Sequence, residues 1–361
     1  MIRVLSCLMA MAVLLGATAA RAAEESAYRD LNRTIVTDHI LPRYDRFASE
    51  SRRLAEAAEQ TCAENTAGDL SALRKPFLTA LEAWQAVQHV RFGPVEFFSR
   101  ASRIAFWPDP RNSVDRQVSE LLSKRDPALL EPAAFAKASV AVQGFPALES
   151  LLYGDEAARD ADSAAQACAL ARAITVNLRT MAAEIDAEWR GGDDPYAALL
   201  ERADDVRFRK PSEVTVELFK SLYTAVELVA DHKLARPLGT AVQAARPRLA
   251  EYWRSKHSLD AIRINLRAAQ ALYESQGRVS AFVRDVAGNR ALDDLLRRAF
   301  TQTLATADGI APPLEDAIVK APARAAVEKL SREAKALKTL LVQRLAPALE
   351  VPVGFNQLDG D

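Results

Sequence analysis

Hydrophobic residues that recur at spacings of three and four positions run through most of the chain, and this feature constrains the fold more than any other. The clearest example is Asp69–Phe92, where one apolar face contains Leu70, Leu73, Phe77, Leu81, Trp84, Val87 and Val90. The same spacing predicts helices at Ile35–Ala58, Ala133–Tyr153, Cys168–Trp189, Val214–Ala230, Ala241–Trp253, Leu259–Arg284, Ala291–Ala307 and Ala323–Leu349. No segment of the sequence shows the sustained alternation of a half-buried strand, so the predicted fold class is all-α.

Two segments rich in proline or glycine interrupt the predicted helices. Trp107–Asn112 contains two prolines, which restrict the backbone towards extended or turn conformations. Gly191–Pro195 ends one long helix, and the basic residues Arg207–Lys210 follow. Because the chain exceeds the length that one hydrophobic core usually serves, we predict two domains with their boundary within residues 192–212. The predicted domains are residues 23–200 and 201–361, each a bundle of about four helices.

The first 22 residues have the pattern of a secretory signal peptide. Arg3 precedes the apolar run Val4–Gly16, and Ala20-Arg21-Ala22 fits a signal peptidase site. Removing these residues changes 47 basic and 48 acidic side chains to 45 and 48. This near-neutral balance argues against nucleic-acid binding, and no later segment is long and apolar enough to span a membrane. We expect an exported protein without a membrane span.

Two cysteines, Cys62 and Cys168, remain after removal of the predicted signal peptide. In an oxidising compartment, such an even pair predicts one disulfide. The alternative is two unrelated buried thiols, because sequence spacing does not show that the side chains meet. Neither cysteine has a nearby Cys or His at the spacing of a metal site.

A glycine and a proline interrupt the predicted helix Ala133–Tyr153. Pro146 lacks an N–H and Gly144 is flexible, so we expect a kink or a break there. Glu149 follows on the apolar stripe of the same segment, where a carboxylate needs an ion pair, hydrogen bonds or a metal. One alternative is a salt bridge to an arginine of a neighbouring helix, and the other is a ligand or a base at a functional site.

A second polar cluster lies at the end of the predicted helix Asp69–Phe92. It contains His89, Arg91 and, after the Gly93-Pro94 break, Glu96. Arginines and a histidine near a helix end are suited to hold an anion or a carboxylate. The structural alternative is that His89 has no ligand role.

The chain resembles the imelysin-like family over essentially its whole length after the signal peptide. The resemblance lies in five segments that occur in the same order: Trp84–Pro94, Phe106–Arg111, Gly144–Gly154, Asp260–Leu266 and Val353–Asp361. It implies two four-helix bundles related by duplication, export to the periplasm or the outer surface and an association with iron-regulated uptake systems.

The family was first classed as metallopeptidases and is marked by a G-x-H-x-x-E motif. Gly144 and Glu149 match this motif, but Pro146 replaces its histidine. This substitution removes the imidazole that would ligate a transition metal, which argues against peptidase activity. We therefore assign no catalytic residue and lean towards a protein that is not an enzyme.

The predicted site combines the helix break with the second polar cluster. Glu149, His89 and Glu96 are the predicted metal ligands for iron or zinc, and Arg91, Gly144 and Pro146 are assigned to binding. This prediction requires the two predicted helices to pack so that His89 supplies the missing imidazole. The alternative is a closed Glu149–Arg91 ion pair of purely structural value.

The favoured function is periplasmic binding in the uptake of iron or another metal. The expected partners are a metal ion or small ligand and an outer-membrane or periplasmic uptake component, with no nucleic acid. The alternatives are a metallopeptidase of the imelysin type and a non-catalytic interaction scaffold. The sequence does not identify the ligand or the oligomeric state.

Overall fold

The computed structural model describes residues 25–63, 69–154, 161–274 and 278–351. Within these residues the chain consists of helices, turns and loops without any strand, which confirms the predicted all-α class. None of the described helices is long and apolar enough to cross a membrane. The predicted signal peptide and the closing segment Val353–Asp361 lie outside the described residues.

The α-helices are α1 (25–35), α2 (Leu41–Ala63), α3 (Arg74–Gln85), α4 (Arg100–Ile104), α5 (Ser113–Lys124), α6 (Pro132–Phe135), α7 (Phe145–Tyr153), α8 (Ala161–Arg190), α9 (Tyr196–Arg202), α10 (Pro211–Glu227), α11 (Arg236–Leu238), α12 (Ser258–Glu274), α13 (Arg278–Ala281), α14 (Arg290–Asp308), α15 (Leu314–Ala317), α16 (Ala323–Leu340) and α17 (Ala346–Ala348). Four π-helical segments continue longer helices: Val36–Ile40, Leu228–Ala235, Phe282–Val286 and Leu341–Leu345. Short 3₁₀ turns occupy several of the remaining connections.

Helices α2, α3, α7 and α8 form a closed ring in the first half of the chain, because each contacts both of its neighbours in the ring. Phe47, Phe77, Trp84 and Phe145 meet in its core. A disulfide between Cys62 of α2 and Cys168 of α8 joins two of the four helices, with the Cα atoms 5.6 Å apart. The predicted disulfide is therefore confirmed.

Helices α10, α12, α14 and α16 form a second closed ring in the other half of the chain. A separate apolar cluster lies at one end of this ring and includes Val229, Ile262, Leu304 and Leu330. The larger core of the molecule contains residues from both halves of the chain. The predicted duplication and the domain boundary within residues 192–212 stay predictions.

Helix α1 belongs to the first half in sequence but packs against the second half. The Asn32 side chain donates to the carbonyl of Pro211 and accepts from the Thr215 hydroxyl, at 2.7 Å in both cases. The rings of Tyr28 and Phe282 lie 4.9 Å apart. Because α1 continues through the π-helical segment Val36–Ile40 into α2, one uninterrupted helical run connects the two rings.

Two helices that the apolar spacing predicts differ in the structure: one ends earlier than predicted, and the other does not form. Asp69–Phe92 is helical only to Gln85, after which the chain turns while Val87 and Val90 stay buried. The predicted helix Ala241–Trp253 is wrong, because this segment contains only the 3₁₀ turns Val242–Ala244 and Pro247–Leu249. Pro247 lacks the N–H that a continuous helix requires, and the backbone is extended at Ala245 and Ala250.

Candidate functional site

The start of α7 is fixed by a close approach between two backbone segments. Gly144 precedes the helix in an extended conformation, and a Cβ at this position would lie 2.1 Å from the carbonyl oxygen of Ile104. Pro146 lies in the first helical turn, where its missing N–H removes no helical hydrogen bond. The predicted break at Gly144 and Pro146 is therefore confirmed, and Glu149 lies just beyond the first turn of the new helix.

Glu149 is buried, with 2% of its surface exposed. One carboxylate oxygen, Oε1, accepts hydrogen bonds from the backbone N–H of Ser255 at 2.9 Å and from its hydroxyl at 2.7 Å. The other oxygen, Oε2, lies 4.0 Å from a guanidinium nitrogen of Arg254. Burial raises the pKa of Glu149 to about 7, although the Ser255 hydrogen bonds and Arg254 both oppose this shift. The carboxyl group can therefore exchange a proton near neutral pH.

Glu149 lines a cleft with a volume of about 140 Å³ between the two halves of the chain. The first half contributes the loop Phe106–Pro110 together with Pro146 and Glu149, and the second half contributes residues 248–254 and Arg236. Residues 248–253 belong to the segment Ala241–Trp253, which sequence analysis assigned to a helix. We refer to this space as the Glu149 cleft.

One wall of the Glu149 cleft combines an indole ring with two guanidinium groups. The Cζ atoms of Arg248 and Arg254 lie 5.3 Å and 4.4 Å from the ring centroid of Trp253. Arg254 also forms an ion pair with Asp115 of α5, whose other oxygen accepts a hydrogen bond from Ser150 at 2.8 Å. These contacts connect residues 253–254 to helices of the first half.

A buried ion pair lies beside the same wall. Lys233 donates to Glu251 at 2.5 Å and to the side-chain oxygen of Gln85 at 2.7 Å. Burial lowers the pKa of Lys233, and the charge of Glu251 opposes this shift. Burial also raises the pKa of the neighbouring Tyr252. The charge of Glu251 is therefore compensated by the protein itself.

The predicted metal ligand His89 lies in a different environment from Glu149. Its Nε2 atom is 2.9 Å from Nε2 of His39, which lies on the π-helical segment Val36–Ile40. Both rings are buried, and burial lowers the pKa of His89 to about 3. Both imidazoles are therefore neutral at physiological pH, and one donates its N–H to the other.

The remaining predicted ligand, Glu96, forms an ion pair with Arg91 at 3.2 Å, where both side chains are partly exposed. Neither residue lines the Glu149 cleft, whereas Pro146 does. The alternative ion pair between Glu149 and Arg91 is also wrong, because Arg254 is the arginine that faces Glu149.

The structure does not bring Glu149, His89 and Glu96 together. Across the ranges that the structure describes, no three His, Cys, Asp or Glu side chains form a group able to hold a metal ion. The physical reason is that Glu149 on α7 faces the turn at Ser255, whereas His89 follows α3 and faces His39. Glu149, His89 and Glu96 thus each contact separate partners.

Sequence analysis missed what the second half contributes here: Arg236, Arg248, Glu251, Trp253 and Arg254 line the cleft, and Ser255 binds Glu149. The incorrect helix assignment of Ala241–Trp253 placed three of them, Arg248, Glu251 and Trp253, on one regular helix. Pro247 was the local signal that this assignment was wrong, because it interrupts the apolar spacing.

Comparison with known proteins identifies the family. A family model described as Imelysin, a peptidase M75 family, matches residues 40–343. Iron-regulated protein A of Synechococcus elongatus is 23% identical over 252 residues, which are 68% of this chain and 65% of that protein. The match thus spans slightly less than two thirds of that relative.

Two solved structures share the fold. An imelysin-like protein from Psychrobacter arcticum has a TM-score of 0.76 and 24% identity, covering 92% of this chain and 98% of that one. A protein from Parabacteroides distasonis, described as an iron-regulated protein A precursor, has a TM-score of 0.73 and 15% identity. This second match covers 88% of this chain and 94% of that one. Because the family model extends over most of the sequence, the chain belongs to the imelysin family.

Proposed function

We propose that this chain is an exported, periplasmic binding protein of iron-linked metal acquisition and that the Glu149 cleft holds its ligand. Two independent lines support the proposal. The first is the similarity to iron-regulated protein A, together with membership of the imelysin family. The second is the cleft itself, which lies between the two halves of the chain, where ligand sites are common.

The observation that carries the proposal is a buried carboxylate at the wall of a cleft that combines aromatic and apolar side chains with a few charged ones. Glu149 is almost fully buried, although ionising a carboxyl group there is costly. The Glu149 cleft also contains Trp107, Trp253 and Pro146. A small cleft with apolar walls and a few convergent polar groups has the composition of a ligand site.

The residues at the positions of the family motif favour a binding function over peptide hydrolysis. Pro146 occupies the position of the motif histidine, and Oε1 of Glu149 already accepts two hydrogen bonds from Ser255. A metallopeptidase needs a metal-bound water and a base that is positioned to accept its proton. The bonds from Ser255 hold the Glu149 carboxylate against the protein and reduce its availability as such a base.

The cleft does not fit a bare iron or zinc ion. Its described lining residues include the carboxylates of Asp109, Glu149 and Glu251 but neither histidine nor cysteine. Glu251 is paired with Lys233, and the arginines of the cleft repel a cation. We therefore propose that iron or another metal arrives with its own chelating ligands.

Tryptophan fluorescence provides the test, because Trp107 and Trp253 both line the cleft. The protein is titrated with ferric citrate, and separately with ferric and zinc salts in a non-coordinating buffer. We expect saturable quenching by the chelate, with an affinity at least about tenfold lower for Glu149→Gln, because the substitution perturbs the charged contacts with Ser255 and Arg254 that hold this wall of the cleft, at about 1.5 kcal/mol or more. The matched control is Glu120→Gln, which changes an exposed carboxylate on α5.

Two results would contradict the proposal. One is the absence of saturable binding for every iron and zinc compound tested. The other is an identical affinity for wild type, Glu149→Gln and Glu120→Gln, because binding would then occur elsewhere. Thermal melting of each variant verifies that the fold is retained.

A further inference from the structure

Three arginines line the Glu149 cleft: Arg236 at the start of α11, Arg248 in a 3₁₀ turn and Arg254 in the following turn. Arg254 is partly buried, and its side chain is 15% exposed. Arg236 and Arg248 are exposed and lie at the mouth. The positive side chains thus extend from the mouth of the cleft to the surroundings of Glu149.

The two arginines at the mouth differ from the acidic groups of the cleft in their bonding. Within the described part of the chain, Arg236 and Arg248 donate no hydrogen bond and form no ion pair. The acidic side chains already have protein donors. Glu251 accepts from Lys233, Glu149 accepts from Ser255, and Asp109 accepts from the backbone N–H of Val114 at 2.8 Å. At the exposed mouth of the cleft, the unused hydrogen-bonding capacity among the described residues is therefore that of the Arg236 and Arg248 guanidinium donors, whereas the second oxygen of Asp109, Oδ1, is buried without a partner.

The wall of the Glu149 cleft formed by Arg248, Trp253 and Arg254 is suited to planar anions. A guanidinium group presents paired N–H donors that match both oxygens of a carboxylate or two oxygens of a phosphate. The contacts of Arg248 and Arg254 with the Trp253 ring restrict the motion of both side chains before any ligand binds. Such preorganisation reduces the entropy that binding would otherwise lose.

From these observations, and resting on the proposed function, we infer that the Glu149 cleft recognises its ligand through anionic oxygen groups held by Arg236, Arg248 and Arg254. The ligand class is a small polycarboxylate or phosphate, either free or as the chelating part of a metal complex. The volume of about 140 Å³ lies below the range of drug-sized pockets, which favours a small molecule over a peptide.

The test uses metal-free probes so that it is independent of iron binding. Citrate and inorganic phosphate are titrated separately by calorimetry into the full mature chain, in buffer treated to remove metals. We expect at least one of the two anions to bind and its affinity to fall about tenfold or more in Arg248→Gln and in Arg236→Gln. The affinity also falls with added salt, because the mouth arginines are exposed and their charges are screened.

The matched control is Arg246→Gln, which removes an exposed arginine two residues from Arg248 that does not line the cleft. Its affinity is expected to equal that of wild type. Absence of binding for both anions, or an equal loss in Arg246→Gln and Arg248→Gln, would overturn the inference. Binding of ferric citrate without any binding of free citrate or phosphate would also overturn it, while leaving the proposed function in place.

Discussion

The buried carboxyl group of Glu149 leads to a quantitative prediction for how the free energy of unfolding depends on pH. Its pKa is about 7 in the folded protein, against an ordinary value of 4.5. Between these values the folded protein keeps a proton that the unfolded chain has lost. The free energy of unfolding therefore falls as the pH rises through this window and reaches its lower level above about pH 8.

The size of the effect follows from the shift. One pKa unit corresponds to about 1.36 kcal/mol, so the full difference is roughly 3 kcal/mol, most of which falls between pH 5 and pH 8.5. Glu149→Gln removes the titrating group and should lose this contribution. Changes from all other titrating groups are common to both proteins and cancel in the comparison.

The assay is urea unfolding, followed by tryptophan fluorescence, of wild type and Glu149→Gln at pH 5 and pH 8.5. The stability of wild type relative to the variant should be roughly 2–3 kcal/mol greater at pH 5 than at pH 8.5. Glu120→Gln is the control and should follow wild type. If the free energy of unfolding depends on pH in the same way for wild type and Glu149→Gln, the reasoning is refuted. Glu149 would then have the same pKa in the folded and the unfolded state.

Three further predictions concern stability and chemistry. Gly144→Ala should destabilise the protein by roughly 3 kcal/mol in denaturant unfolding, because the added Cβ would lie 2.1 Å from a backbone oxygen. The control Gly191→Ala should change stability by less than about 1 kcal/mol, because the nearest contact of its added Cβ is at 3.2 Å. Replacing Cys62 and Cys168 by serine should cost roughly 4–5 kcal/mol, since the disulfide closes a loop with a sequence separation of 106. Alkylation of two free thiols in the unreduced, denatured wild type would contradict this pairing. Casein should not be cleaved with added zinc or iron, and chelator-sensitive cleavage that Glu149→Gln abolishes would show the opposite.

The sequence predicted the fold class well because apolar spacing reports burial. It predicted helix ends less well for the same reason. Val87 and Val90 continue the apolar face of α3, and both are buried, but they lie in turns after Gln85. Apolar spacing also predicted a helix at Ala241–Trp253, although Pro247 prevents the hydrogen bonding of a continuous helix.

For the candidate site, too, the sequence predicted one part and not another. The need of Glu149 for compensating groups followed from its position on an apolar stripe, and the structure contains such groups. Their identities could not be inferred, because Ser255 lies 106 residues later in the sequence, just after the segment Ala241–Trp253 that was assigned to a helix. The partner of His89 is His39, 50 residues earlier, and no local pattern links the two.

The position of α1 has a consequence for the order in which the protein is made. Ribosomes complete this helix early, but Tyr28 meets the carbonyl of Leu349, which lies 321 residues later. At roughly 5–20 residues per second, that partner is added about 15–65 s afterwards. During this interval the apolar side chains of Tyr28, Leu31 and Ile35, all buried in the finished protein, lack their final neighbours. The first helix of a newly made chain therefore stays incompletely packed until the last residues are added, and deletion of the segment that contains Leu349 would leave it so permanently.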